Sequence, residues 1–343
     1  MAAVDTYSDD PGSDRTLMNL ALAYWGSAAV GAVARLGVAD HLAQQPQAAG
    51  ELAKLTGVDE SSLRRVLRFL TGAGVFSEDG RGRFHLTPAA EPLLTTSPRS
   101  LRAAVSFVTD DLLWQPAGRL TDTLHRGATV FGEIFGMPLW DYLGATPSAG
   151  AVFDTGMTSY TGPENAAIAD TYDLTEIGSV VDVGGGRGGL LAMLLSRNPH
   201  LSGVLYDREP VLDEHLLDRP ELAGRWTTVA GDFRDSVPPG SELYILKHIL
   251  HNWNDEQCVT ILQHCRRAMP DDGRILVAET ITPPPNTPHY VWALDMVMMA
   301  LVTGHERTRE QFETLFAAAE LKLTRVVATA TYSSLSLIEA TPA

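Results

Sequence analysis

The stretch SVVDVGGGRGGLLAMLLSRNPHLSGVLYD, residues 179–207, decides the fold. A β-branched run ends in a glycine loop formed by Gly184, Gly185, Gly186, Gly188 and Gly189. A helical pattern follows, and a second apolar run closes on Asp207. Strand, glycine loop, helix, strand, acid is the opening unit of a mostly parallel sheet that binds an adenosine-bearing ligand. Glycine lets the backbone turn tightly and lets a ligand approach the main chain, which makes Gly184 and Gly186 candidate cofactor residues. Asp207 is placed to accept both hydrogen bonds of a ribose diol.

A glycine loop and an acid serve nicotinamide and flavin enzymes equally well. Asp182 separates the alternatives. It stands two residues before the first glycine, where the pyrophosphate of a dinucleotide would meet a like charge. A carboxylate there suits an ammonium, and S-adenosylmethionine (SAM) carries an ammonium and a sulfonium but no phosphate. Gly231-Asp232-Phe233, at the end of the third apolar run, adds a carboxylate for an adenine amino group and a ring for its face. Taken alone, Asp232 reads equally well as a turn or cap residue.

Downstream, the runs WTTVAGD, ELYILK, GRILVAET, LKLTRVVAT and YSSLSLIEA are separated mostly by helical patterns. This predicts an α/β, Rossmann-like domain over residues 171–343, with a mostly parallel sheet and helices on both faces. Upstream, residues 17–42 hold apolar positions at helical spacing with a break at Gly37. AAGELAKLTG, a helix DESSLRRVLRFLTGAG capped by Asp59, and a hairpin VFSEDGRGRFHLTP turning at Asp79-Gly80 then describe a helical winged-helix domain over residues 15–100. Residues 101–170 read as a helical connector that contributes to a substrate pocket. Its aromatics, Trp114 and Phe153 among them, serve either as core or as pocket lining. Residues 1–14 are polar and acidic and are expected to be disordered, with structure beginning near Thr16.

The chain has 343 residues, 45% hydrophobic and 20% charged, which is ordinary globular composition and room for two domains. A net charge of -16 opposes binding to a phosphate backbone. Arg64, Arg65 and Arg68 on the winged helix therefore read as a solvated face, the domain is assigned to dimerisation, and no nucleic-acid partner is expected. Cys258 and Cys265 lack the spacing of a metal site, so no metal is expected, and unpaired thiols fit a cytoplasmic protein. The N-terminus lacks the basic start and apolar run of a secretory signal. No stretch reads as long enough to span a membrane; the most apolar, 290–302, is interrupted by Asp295.

The segment LKHILHNWNDEQC, residues 246–258, follows the fourth run and puts His251 at the C-terminal edge of the sheet, with Asn254 capping the next helix. A histidine there is suited to take a phenol proton near neutral pH. Glu279, ending RILVAET, and Glu306, in TGHERT, are two carboxylates that can orient its ring and stabilise the imidazolium. Each also reads as an ion-paired residue, Glu306 with Arg307 in particular. His248 stands open as an alternate base or a packing residue.

With these segments in order, the chain resembles the class I SAM-dependent small-molecule O-methyltransferases. That two-domain class includes plant caffeate and flavonoid enzymes, acetylserotonin methyltransferase and bacterial enzymes that tailor polyketides. The resemblance runs from about residue 15 to residue 340 and rests on DVGGGRGG, GDF, LKHILHNWNDEQC, VAET, HERT and the preceding FDTGMTSYT. It implies that Gly184, Asp207, Asp232, Phe233 and Lys247 line the SAM pocket, with Met157 and Tyr160 near the sulfonium and adenosine. It implies His251 as general base flanked by Glu279 and Glu306. Trp114, Phe153, Met157, Asn252, Trp292, Asp295, Met296 and Met299 become candidates for the acceptor pocket. It further implies a homodimer through the N-terminal domain and methylation of a small aromatic secondary metabolite, leaving S-adenosylhomocysteine. Asn252 departs from the family's commoner HDW, removing a negative charge beside the histidine. The same scaffold also supports N-methylation and SAM-dependent hydroxylation, decarboxylation or ring closure; a winged-helix regulator and a nicotinamide dehydrogenase are more distant alternatives.

Overall fold

A computed structural model describes residues 11–331 and 333–343. The disorder expected for residues 1–10 lies outside the described residues, while Pro11 already opens a helix, Pro11–Leu22. The chain divides into two compact units, Met1–Thr109 and Asp110–Ala343.

In the first unit the helices Tyr24–Arg35 and Val38–Gln44 meet at Gly37. The helix Glu60–Gly72 begins where Asp59 accepts a hydrogen bond from the Ser62 N–H. Its Leu63, Leu67 and Leu70 recur at helical spacing and are buried with Leu52, Phe76 and Phe84. Strands β1 (Gln47–Ala48), β2 (Phe76–Glu78) and β3 (Arg83–Leu86) form a small sheet in the order β1-β3-β2. The two-strand wing thus gains a third strand, which is too short to show a period in the sequence. The same unit corrects the statement about membrane-spanning length. Asp14–Arg35 is long and apolar enough by length and composition. It presents an exposed apolar face, with Leu20 70% and Trp25 54% accessible.

The second unit opens with short helices and the long helix Pro147–Thr171, which runs through Pro163. Seven strands follow: β4 (Ser179–Val183), β5 (Ser202–Asp207), β6 (Trp226–Ala230), β7 (Leu243–Lys247), β8 (Arg274–Thr280), β9 (Leu321–Ala328) and β10 (Leu335–Pro342). They lie in the order β6-β5-β4-β7-β8-β10-β9. The first five run parallel, and β10 is antiparallel to both its neighbours. β4, β7 and β8 are buried nearly throughout, as parallel strands covered on both faces must be. One face packs on the helix Gly189–Arg197, whose Leu190, Leu191, Leu194 and Leu195 are buried. The other packs on Asp255–Ala268 and Arg309–Ala318. Each buried leucine contributes roughly 1.5–3 kcal/mol. The order reverses at β4, between β5 and β7, and a crevice at the carboxyl ends of the strands follows.

Candidate active site

At the ends of β4, β5, β6 and β7 a cavity of about 530 Å³ opens. Its lining brings together Met157, Asp182, Gly184, Gly186, Asp207, Asp232, Phe233 and Lys247, with Phe153 and Asn252 beside them. Gly184 turns the chain out of β4 at φ 66, and a Cβ there would lie 2.5 Å from Ile249 Cδ1 and 3.1 Å from the Phe233 ring. Asp207 Oδ2 accepts from the Gly186 N–H at 2.8 Å and Oδ1 from the Arg208 N–H at 2.7 Å. Each oxygen keeps a lone pair for a ligand. Burial raises the Asp207 carboxyl, opposed by those two N–H groups.

Asp182 is 1% exposed, and its Oδ2 has no hydrogen-bond partner among the described residues. Burial pushes its carboxyl up to about 6, against the attraction of Lys247. Lys247 Nζ donates to Asn165 Oδ1 at 2.5 Å, and burial lowers its proton affinity despite Glu164 and Asp182. Asp232 accepts from the backbone and the guanidinium of Arg234, and is both a turn residue and a cavity wall. The guanidinium of Arg234 lies 5.1 Å from the centroid of the Trp253 ring.

His251 lies on the one-turn 3₁₀ helix Leu250–Asn252 that leaves β7. Its Nδ1 is 2.8 Å from Glu306 Oε1. Glu279 Oε1 instead accepts from the His251 backbone N–H at 3.1 Å, so this acid holds the main chain rather than the ring. Burial alone would lower the His251 pKa, but Glu306, by charge and hydrogen bond, and then Glu279 outweigh it and raise the ring above its ordinary 6.5. A carboxylate on Nδ1–H leaves the lone pair on Nε2, the form a general base needs.

The turn carrying His251 is held from outside. Arg307, fully buried, donates to Leu250 O at 3.0 Å, Trp253 O at 2.8 Å and Asp255 Oδ1 at 2.7 Å. Its ion pair is with Asp255, which frees Glu306 for the histidine. Gly304 lies so close that a Cβ would come within 2.1 Å of His251 O. Asn252 Nδ2 donates to His248 O at 2.8 Å, a bond an aspartate in its place would not make.

Other sequence candidates lie off the cavity lining. Tyr160 bonds Tyr290 through their hydroxyls at 2.7 Å and meets the His248 ring edge-on. Trp292, Asp295, Met296 and Met299 lie on the helix Val291–Leu301, which packs on the helix Asp111–Gly118 that carries Trp114. Asp295 Oδ1 accepts from the Glu306 N–H at 2.8 Å, which ties that helix to the histidine's acid. The sequence held no local signal for Asn165 or Glu164, whose partners are remote in the chain, and Gly304 and Arg307 stood out only within TGHERT. The aromatic Trp140, stacked on Trp253, was visible only as a scattered ring.

Two family models match this chain, an O-methyltransferase domain over residues 118–322 and an O-methyltransferase dimerisation domain over residues 18–96. The chain belongs to the O-methyltransferase family. Within it, the chain is 35% identical to a phenazine O-methyltransferase of Lysobacter antibioticus, covering 95% of each chain. It is 33% identical to an 8-amino-8-demethylriboflavin N,N-dimethyltransferase of Streptomyces davaonensis, covering 84% of each. Among solved structures it matches CalO1, a methyltransferase in calicheamicin biosynthesis in its SAH-bound form, at 41% identity and TM-score 0.88, covering 98% of this chain and 99% of that one.

The methyl donor of this O-methyltransferase family is SAM, and the residues present fit it. Asp182 offers a buried carboxylate oxygen without a partner for a cation. The Gly184 loop leaves the main chain open where a side chain would close it. Asp207 keeps acceptor capacity for a diol, and in the lining the acids, Asp154, Asp182, Asp207 and Asp232 among them, outnumber the bases Arg187, Arg208, Arg234 and Lys247, which disfavours a phosphate.

Proposed function

We propose that this O-methyltransferase moves the methyl group of SAM onto a phenolic hydroxyl of a small aromatic secondary metabolite, with His251 as general base. Its main support is one observation. His251 is backed at Nδ1 by Glu306, its Nε2 has no hydrogen-bond partner among the described residues, and its chain neighbours His248, Ile249, Asn252 and Trp253 line the cavity although His251 itself does not.

Asp182 and Asp207 hold the donor by its ammonium and ribose, while Met157, Asp232 and Phe233 bound its nucleoside end. Bound SAM supplies a methyl group made electrophilic by a sulfonium. His251 Nε2 takes the acceptor's hydroxyl proton, and Glu306 stabilises the imidazolium that results. Glu279 fixes the main chain of His251, so that the ring is pre-oriented rather than ordered at each turnover. Phe153, Trp114, Trp292, Met296 and Met299 supply apolar surface for a planar acceptor, and Asp295 sets the position of Glu306. The apolar face of Asp14–Arg35 fits a homodimer, since an exposed patch of this kind marks a protein contact.

A second possibility, methylation of nitrogen, is favoured by the likeness to the riboflavin-type N,N-dimethyltransferase. One experiment separates them. Purified protein is incubated with trideuteromethyl SAM and a panel of phenols and arylamines, and the products are read by mass spectrometry and NMR. Label on an oxygen is the expected result. Label on nitrogen alone, or a transformed acceptor without label, would overturn it.

A further inference from the structure

His251 shares its loop with a second histidine whose chemistry the proposed function leaves unused. His248 follows β7 directly, holds a left-handed backbone at φ 55, and lines the cavity. Its Nε2 lies 2.7 Å from Glu164 Oε2, and the other oxygen of Glu164 accepts from Ser333 Oγ at 2.5 Å. Glu164 is 0% exposed, and the three residues come from three separate segments of the unit. Burial raises the Glu164 carboxyl, and the hydrogen bonds from His248 and Ser333 and the charge of Lys247 oppose it. An ionised Glu164 accepts from Nε2–H, which leaves the lone pair of a neutral His248 on Nδ1. That atom has no partner among the described residues.

The two imidazoles are counterparts. Their centroids are 5.3 Å apart with planes 31° from parallel. Each is backed by a buried carboxylate on one nitrogen and is open at the other. A histidine kept only for packing has no use for a buried acid, because desolvating a carboxylate is costly unless it serves a partner. Here the acid sets the tautomer of a ring that faces the cavity.

We infer that His248 is a positioning residue whose Nδ1 accepts a hydrogen bond from a second hydroxyl of the acceptor, next to the one His251 deprotonates, so that the acceptor is an aromatic ring bearing two neighbouring hydroxyls. This rests on His251 acting as the base. It also selects the methylated position, since only one hydroxyl of the pair faces His251 while His248 holds the other.

The test uses the full-length enzyme loaded with S-adenosylhomocysteine and titrated calorimetrically with 2,3-dihydroxynaphthalene and with 2-naphthol. The wild type binds the diol at least about tenfold more tightly. His248→Phe combined with Glu164→Gln, which avoids stranding a buried charge, binds both probes equally. His248→Asn, which tolerates the left-handed backbone and keeps an acceptor near the Nδ1 position, restores part of the preference. In nitrogen-15 histidine-labelled wild type, the diol but not 2-naphthol shifts the His248 Nδ1 resonance, a readout that needs no variant. Equal binding of the probes by the wild type, no binding of the diol, or an unmoved resonance overturns the inference. The base assignment fails separately: if His251→Ala still methylates, His251 is not the base, whatever the diol preference shows.

Discussion

A protonated His251 has no lone pair for the acceptor's proton, and its pKa stands above 6.5 because Glu306 and Glu279 outweigh the effect of burial. With His251 as the proposed base, activity is lost as pH falls through that raised value, and the acid limb of kcat/KM is expected above the ordinary histidine range. Glu306→Gln removes the largest stabiliser of the imidazolium, so the limb moves to lower pH while the plateau falls; a pH–rate profile of both proteins checks the sign. The proposed role of Asp182 is on the donor instead. Its carboxyl titrates at about 6, so donor affinity weakens as pH drops below that value. Asp182→Asn raises the Kd for SAM and for S-adenosylhomocysteine roughly ten- to a hundredfold, as the loss of a charged hydrogen bond implies, measured by calorimetry. Asp182 and Asp207 could be proposed from sequence because each stands at or near a strand end, and His251 because it follows one closely. Glu164 and Ser333 could not: they reach the site from 84 residues before His248 and from 169 residues beyond Glu164, respectively.

The elements that hold these residues differ in how plainly the sequence displays them. β4, β7 and β8 are continuous apolar runs, and their burial on both faces is what such runs imply. The turn Leu250–Asn252 shows no period of its own, because its shape is imposed by Arg307, Glu279 and Gly304. Gly304 was read only as part of a motif. Its substitution by alanine puts a methyl into the main chain of 251–253, which the turn relieves only by moving. Gly304→Ala should lower stability by about 1–3 kcal/mol and depress methyl transfer, with donor affinity retained because the Asp182 wall is untouched. Denaturant unfolding and calorimetry measure the two effects. Unchanged turnover would mean that the turn does not set the position of His251.

For the whole molecule, the start of the parallel sheet follows from the change of sequence texture near residue 179, but the division between the two compact units falls at Thr109/Asp110, so most of the helical stretch read as a connector belongs to the sheet unit. The apolar helix at the start was harder to read. Asp14–Arg35 passes the length and hydropathy test of a membrane span, yet it falls largely within the match to an O-methyltransferase dimerisation domain. Leu20→Asp with Trp25→Asp should convert a dimer to monomers in analytical ultracentrifugation, and a wild-type monomer would remove the basis for the homodimer. The most direct test of the central claim is a paired measurement on His251→Ala: donor affinity by calorimetry and methyl transfer by mass spectrometry, on the acceptor that the wild type uses. The account predicts an unchanged Kd for SAM with turnover reduced about 10²–10⁴-fold, the range of a lost general base. Turnover near that of the wild type, with the donor still bound, would contradict it.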